Sequence, residues 1–496
     1  MSTAPGLRLI AATLAAGAVV AAPAVGASWT AAKYPTTSGS AAVASSANQT
    51  QSPIAVAVTA SGVPAVLYRA ANKSIWDITR GSATAAWPSK ATQWLSTSAN
   101  ASPMLGAAFV GSKLTAMWPV SGGGSLAAAS GSRSVATSAI AKRTINPPIK
   151  VPYPEGSFVP AFNIGAVSSG AAWYGISSAL STSTGRAFGG LVAAGKVPTN
   201  LLPFAAPSVG GEPTISMGSD SLGNMTALVR SGDGILNVTT RPASTSSWTP
   251  LQALSPQPVA GAADAHGACC VWTTSPFAAA VDPAGDAVIA YATTVTPEGV
   301  ISSTGTSTGV VAMQRVGATG TFSAPQVLQV IAPTTLSSGV VVRNVPRAIT
   351  VAAGGSAPNA TASLAWIASD SSAISAARGP VGAPLTAPLS IALPQSASGW
   401  TALQLTSAVN PQGVAAVLLG GANFQGTSWP LLGITSAPGS AWTDPVAVSG
   451  TKVCAAGYPG ATVAPYNTGF VAAWMCANTG GTSSTAANAI GVASFR

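Results

Sequence analysis

The sequence predicts an all-β chain built from one repeated four-stranded unit, and three observations carry that prediction. Apolar runs of strand length are cut by Asp-Pro-Ala-Gly and similar turn signals. Only 6% of the 496 residues are charged, too few for ordinary helical surfaces, so Ser, Thr, Asn and backbone must meet solvent. The unit also recurs at spacings of about fifty to seventy residues. In the clearest copy, residues 277–291 form strands A and B on either side of Asp282-Pro-Ala-Gly285. Residues 309–315 form strand C and 321–329 strand D. One such sheet cannot bury both its faces, so its neighbours must be further copies of itself.

In chain order, residues 1–27 read as a secretory signal: Arg8, an Ala-rich apolar run, then Val25-Gly-Ala27 before Ser28. The apolar run is shorter than the roughly 20 residues that span a bilayer, and no later stretch is long enough. The expected product is therefore residues 28–496, exported to the extracellular side with no stable membrane insertion. Residues 28–34 have the strand D pattern with no A, B or C before them. A–B pairs follow at 54–62 with 65–68, 104–110 with 114–118, 158–164 with 171–173, and 214–223 with 226–229. Beyond the clear copy at 277 they continue at 348–353 with 364–366, 403–409 with 415–419, and 461–466 with 470–474. Strand D carries an aromatic residue, Ser or Thr, then Pro: Trp248-Thr-Pro250, Phe322-Ser-Ala-Pro325, Trp442-Thr-Asp-Pro445 and, more loosely, Trp94. The last copy ends at 490–496 as a strand C with no D after it.

An orphan D at one end and an A-B-C at the other predict a single eight-bladed β-propeller, the N-terminal strand completing the last blade. Closure of that kind removes exposed sheet edges. Seven blades is the alternative if the second or third copy is incomplete.

In a propeller, D-to-A and B-to-C loops share one face, and A-to-B and C-to-D loops the other. Glu155, Glu212, Asp264, Asp233, Glu298 and Asp370 fall on the first face. Arg80, Arg133, Arg186, Arg241, Arg315, Arg378 and Arg496, read as lying at or near the ends of C strands, fall on the second. The arginines are either laid along their blades with guanidinium groups on loop carbonyls, or a basic ring that docks an anionic polymer and weakens with salt. Asp220, Asp282 and Asp286 read as turn residues bonding local backbone.

The insertion 256–275 places Asp264, His266, Cys269, Cys270 and Trp272 where a loop could overhang the axial channel. Paired carboxylates about 5 to 10 Å apart could act there on a glycosidic bond, and His266 is the sole histidine available to a triad. Trp118, Trp173, Trp366 and Trp474 share one strand B position, and Trp29, Trp248 and Trp442 one strand D position, which points to inter-blade packing. Trp272, Trp400 and Trp429 stand outside those positions. The ligand-binding candidates are thus Asp264, His266, Trp272, Glu212, Glu298, Asp370, Trp400 and Trp429, and no residue is assigned a catalytic role.

In an oxidising compartment the four cysteines are expected as disulfides. Cys454 and Cys476 flank one blade, so their bridge would staple it and leave Cys269 and Cys270 as an adjacent pair; a bridge from that loop to the last blade is the alternative. With one histidine and no Cys-x-x-Cys, neither a metal nor another cofactor is expected.

Without the signal, 20 basic side chains face 11 acidic ones, a net charge of +9 that favours anionic envelope polymers. Basic runs and aromatic RNA-binding signatures are missing, so nucleic acid is not an expected partner.

The units resemble those of secreted bacterial β-propeller repeat proteins. The shared pattern is Val-Asp-Pro-x-Gly-x-Ala-x-x-x-aromatic, here Val281 to Tyr291, with an Arg ending strand C and the aromatic-Ser/Thr-x-Pro strand D. The best-known catalytic relatives in architecture are sialidase-type propellers, whose blades carry Ser-x-Asp-x-Gly-x-x-Trp turns. No intact copy stands here, so their catalytic residues transfer to no position. The expected function is a monomeric, noncatalytic binding or scaffold module for a glycan, cell-envelope polymer or protein, with a glycan-active hydrolase of sialidase-like architecture as the alternative.

Overall fold

The computed structural model describes residues 28–35, 53–59 and, with breaks, 61–496. The longest breaks are 204–213, 255–275, 450–460 and 477–488, and through most of 119–213 only backbone is described. Residues 1–27 lie outside the described residues. Among those described there is no helix, and so none long and apolar enough to cross a membrane.

The described strands form eight antiparallel sheets of three or four strands and one two-stranded hairpin. Every large sheet is a meander, each strand pairing with the next in sequence, because its connecting turns are too short for a crossover. The first strands are Ile54–Val58, Gly106–Val110, Phe158–Val167, Thr214–Ser219, Phe277–Val281, Ala348–Gly354, Ala402–Val409 and Ala461–Tyr466. These match the A positions read from the sequence, and A to D denote the strands of each sheet in chain order below. Each strand A contacts strand A of the following sheet, and that of the eighth contacts that of the first.

Packing of sheet against sheet explains the local sequence. In the fifth sheet, strands B (Ala287–Val295) and C (Ser307–Arg315) are buried throughout, so they read as continuous runs rather than alternating ones. The last strands of the fourth and seventh sheets, Gln252–Ala253 and Val446–Ala447, are short and exposed, whereas that of the fifth, Gln326–Ile331, is mostly half-buried. Tryptophans 118, 366 and 474 of the B strands are buried, as their shared position implied.

The A–B turns share one design. Asp282 Oδ1 accepts the N–H groups of Ala284 and Asp286, both at 2.9 Å, and Gly285 adopts φ +90°. Asp220 holds Leu222 and Asn224 in the same way, and Asn410 holds Gln412 and Val414. The residue after the glycine then ties this turn to the C–D connection: Asp286 Oδ1 accepts from Gly317 N–H, and Asn224 Oδ1 from Ala243 N–H, each at 2.7 Å. A–B and C–D connections of these sheets therefore share a face.

The eighth sheet contains Ala461–Tyr466, Gly469–Cys476 and Ala489–Phe495, and beside the last runs the N-terminal segment. Trp29 bridges Phe495 and Lys33 bridges Val492. Ser28, Thr30 and Lys33 donate N–H bonds to the carbonyls of Arg496, Ser494 and Val492 at 2.9, 2.7 and 2.9 Å. The Trp29 ring meets Phe495 edge-on at 5.5 Å, and Tyr34 OH donates to Ser449 O in the seventh sheet at 2.7 Å. One buried cluster joins Ile54, Val66, Tyr68 and Ile78 of the first sheet to Ala473, Met475, Ile490 and Val492 of the eighth.

Two positions differ from the sequence reading. Arg186 opens its strand, Gly185–Ala193, rather than ending it. In the first sheet Trp94 is buried core, and the aromatic beside the strand-ending arginine is Trp87, 4.5 Å beneath the Arg80 guanidinium.

Candidate functional site

The strand D signature has a hydrogen-bonding cause. Its Ser or Thr hydroxyl accepts the N–H of a strand C residue, and its own N–H donates to that residue's carbonyl. The pairs are Thr249 with Thr240, Ser323 with Gln314, Thr386 with Arg378, and Thr443 with Thr435. The proline that follows lies where an edge strand needs no further donor. Gln314, Arg378, Thr240 and Thr435 therefore occupy one equivalent position, and Arg315, Gly379, Arg241 and Ser436 the next.

Neighbouring positions on a strand face opposite sides, and the side chains obey this. Arg315 turns back toward the fourth sheet, donating to Thr226 Oγ1 at 2.8 Å and standing 5.2 Å from the Phe322 ring. Gln314 turns forward to the sixth: its Nε2 donates to Ala383 O at 2.7 Å, and Gly382 N–H donates to its Oε1 at 3.1 Å. Arg378, in the register of Gln314, also turns forward. It donates to Ser436 Oγ at 2.8 Å, to Gly413 O at 3.1 Å and to Ala437 O, all in the seventh sheet. Arg80 behaves like Arg315, donating to Ser494 Oγ at 2.9 Å in the eighth sheet.

Arg80, Arg315 and Arg378 are buried, and burial holds each guanidinium pKa below its ordinary value, that of Arg80 at about 10. Their shortest bonds reach neighbouring sheets, while Arg315 also donates to Gly285 O at 3.4 Å and Arg80 to Ala85 O at 3.5 Å in loops of their own sheets, so at these three buried positions a solvent-facing basic ring does not form.

The seam between the fifth and sixth sheets is stitched twice. Gln326 repeats what Gln314 does: its Nε2 donates to Leu385 O and its Oε1 accepts from Leu385 N–H, both at 2.9 Å. At the next seam the position of Gln326 is taken by Leu389, which can make neither bond and is 46% exposed. A groove of about 590 Å³ opens there between the sixth and seventh sheets, lined among others by Asn359, Arg378, Thr386, Leu389, Ser440 and Trp442. The half-buried indole of Trp442 and the side chain of Leu389 make it mainly apolar, as ligand sites are. No carboxylate or histidine is among its lining residues, which suits it to binding rather than proton transfer.

Of the site residues read from the sequence, Glu298 and Asp370 are described. Both are exposed, in the B–C connections of adjacent sheets. A hydrogen bond from Thr296 lowers the Glu298 pKa, and bonds from the Ser372 N–H and hydroxyl lower that of Asp370, so each acts locally in its turn. Asp264, His266, Trp272, Glu212, Trp400 and Trp429 lie outside the described residues, as do Cys269, Cys270 and Cys454 and the side chain of Cys476. Sequence reasoning placed Trp442 in packing alone and did not single out Leu389. The available signal was a leucine where the preceding unit has a glutamine, three residues after the strand D hydroxyl.

No family model and no curated protein matches this sequence. Among solved structures, the chain is similar to a triple Arg-to-Ala mutant of AofleA from Arthrobotrys oligospora, at 12% identity over 82% of this chain and 88% of that one, with a TM-score of 0.39. It is also similar to the fucose-specific lectin from Aleuria aurantia, at 12% identity over 71% and 99% with a TM-score of 0.36. A neuraminidase-like protein of A/little yellow-shouldered bat/Guatemala is similar at 9% identity over 65% and 94%, with a TM-score of 0.33.

Proposed function

We propose that the eight sheets are the blades of one closed propeller, sealed by residues 28–34 beside Ala489–Phe495. The product is an exported, monomeric, noncatalytic binding or scaffold module for a glycan, a cell-envelope polymer or a protein. The bridges of Trp29 to Phe495 and Lys33 to Val492 support the ring, as does the cluster shared by the first and eighth sheets. The observation that carries the binding reading is the open seam at Leu389: an apolar, Trp-bearing groove stands where the preceding seam is closed.

The test is a glycan array and an envelope-polymer pull-down with residues 28–496, run beside Trp442→Ala, Trp272→Ala and Asp264→Ala. The proposal expects retained ligand whose affinity falls at least tenfold in Trp442→Ala. A ligand held equally by Trp442→Ala and lost by Trp272→Ala would move the site to the opposite face, and release of reducing sugar would replace binding by hydrolysis.

A further inference from the structure

The groove contains an unfilled copy of a hydrogen-bonding seat that the protein itself fills one seam earlier. Leu385 and Trp442 are equivalent, since each precedes the strand D threonine, Thr386 or Thr443, that holds the matching strand C residue. The turns before them are also the same: Ala383 N–H donates to Pro380 O, Ser440 N–H donates to Ala437 O, and Gly382 and Gly439 adopt φ +81° and +73°. At the stitched seam both main-chain groups of Leu385 are taken by the carboxamide of Gln326. At the open seam Leu389 replaces that glutamine, and neither the N–H nor the C=O of Trp442 is bonded to another described residue.

Resting on the reading of this groove as the binding site, we infer that it takes a glutamine side chain from an extended peptide. The carboxamide pairs with the N–H and C=O of Trp442 as Gln326 pairs with Leu385. A primary carboxamide holds a donor and an acceptor side by side in one rigid plane, as this seat requires. A carboxylate has no donor for the Trp442 carbonyl. The trans amide of an acetamido group directs its N–H and C=O to opposite sides, so it satisfies only one of the two. The methylene stem and flanking apolar residues match Leu389 and the indole. An extended chain also fits the outer edge of Leu389–Ala392, the last strand of the sixth sheet, which pairs with no other described strand.

The experiment uses ¹⁵N-labelled residues 28–496 titrated with three acetylated pentapeptides, Ser-Val-Gln-Val-Ser and its versions with Glu or Leu at the centre. The readout is the backbone amide resonance of Trp442 in protein labelled selectively with ¹⁵N-tryptophan, assigned by its disappearance in Trp442→Phe. The glutamine peptide is expected to shift that resonance saturably, with the Glu and Leu peptides at least tenfold weaker. Leu389→Gln, which supplies the carboxamide from within, is expected to abolish the shift while raising the melting temperature. Equal binding of the Leu peptide, or no shift at millimolar glutamine peptide, overturns the inference. If an array ligand loses affinity in Leu389→Gln while no peptide moves Trp442, the groove remains the site and the carboxamide assignment alone fails. If that ligand binds Leu389→Gln and Trp442→Ala unchanged, the groove reading fails with it.

Discussion

Gln326 and Leu389 occupy one position in successive sheets, and the Gln326 carboxamide makes two bonds across its seam that the Leu389 alkyl group cannot make across the next. The reciprocal change follows. Gln326→Leu should open a second groove between the fifth and sixth sheets and leave the N–H and C=O of Leu385 without their partner. Loss of two neutral hydrogen bonds at a part-buried site costs on the order of 2 kcal/mol, read as a lower denaturant midpoint at unchanged slope.

Arg378 ties the sixth sheet to the seventh through neutral acceptors only. Arg378→Ala should cost about 3 kcal/mol, since bonds to a charged donor are worth more than neutral ones and buried carbonyls are left unpaired. Arg378→Gln should recover part of that loss, because Gln314 fills the equivalent position one sheet earlier. Raising the salt concentration should leave the loss unchanged, because no ion pair is involved. Urea titrations at low and high salt check both points.

Asp282 is buried with Oδ2 unpartnered, and burial, then the nearby Asp286 carboxylate, raises its pKa from 3.8 to about 6. A raised folded-state pKa contributes stability that is complete below pH 4 and lost as pH rises toward and past 6. Asn410 makes the same turn bonds with no charge to bury. Asp282→Asn should therefore stabilise the protein at pH 7 to 8, by on the order of 2 kcal/mol, and flatten the pH dependence between 4 and 6. Denaturation midpoints across that range decide the matter, and a variant less stable at pH 8 would contradict it.

Glycines in left-handed backbone separate two costs. At Gly439 (φ +73°) an added Cβ meets nothing within 4 Å, so Gly439→Ala costs only backbone strain, about 1 kcal/mol. At Gly285 (φ +90°) the same atom would lie 2.8 Å from Ala318 N, so Gly285→Ala should cost distinctly more. Melting curves of the two variants give the order.

Much of this architecture is legible in the sequence because the turns are chemically demanding. Asp282, Asp220 and Asn410 must accept two N–H groups, and Gly285 must adopt positive φ, so each A–B turn leaves the same mark. The strand D hydroxyl likewise has to meet a strand C residue, which made residues 28–34 readable as a strand D and their partner predictable. The register of Arg378 was not legible. It stands eight residues before Thr386, as Arg315 stands eight before Ser323, yet Thr386 bonds Arg378 itself while Ser323 bonds Gln314. A one-residue slip between paired strands leaves no trace in spacing. The groove escaped notice for the same reason, since the meaning of Leu389 depends on knowing which glutamine it replaces.

The N-terminal segment lies in register along the last strand. Val492 N–H donates to Lys33 O at 2.9 Å, Ser494 N–H to Thr30 Oγ1 at 3.0 Å and Arg496 N–H to Ser28 O at 3.2 Å. Hydrogen exchange of the Val492 and Ser494 amides, in residues 28–496 and in a chain begun at residue 36, tests this most directly. Strong protection in the first that is lost in the second is the predicted result. Rapid exchange at both amides in the longer chain, or protection that survives the truncation, would contradict it.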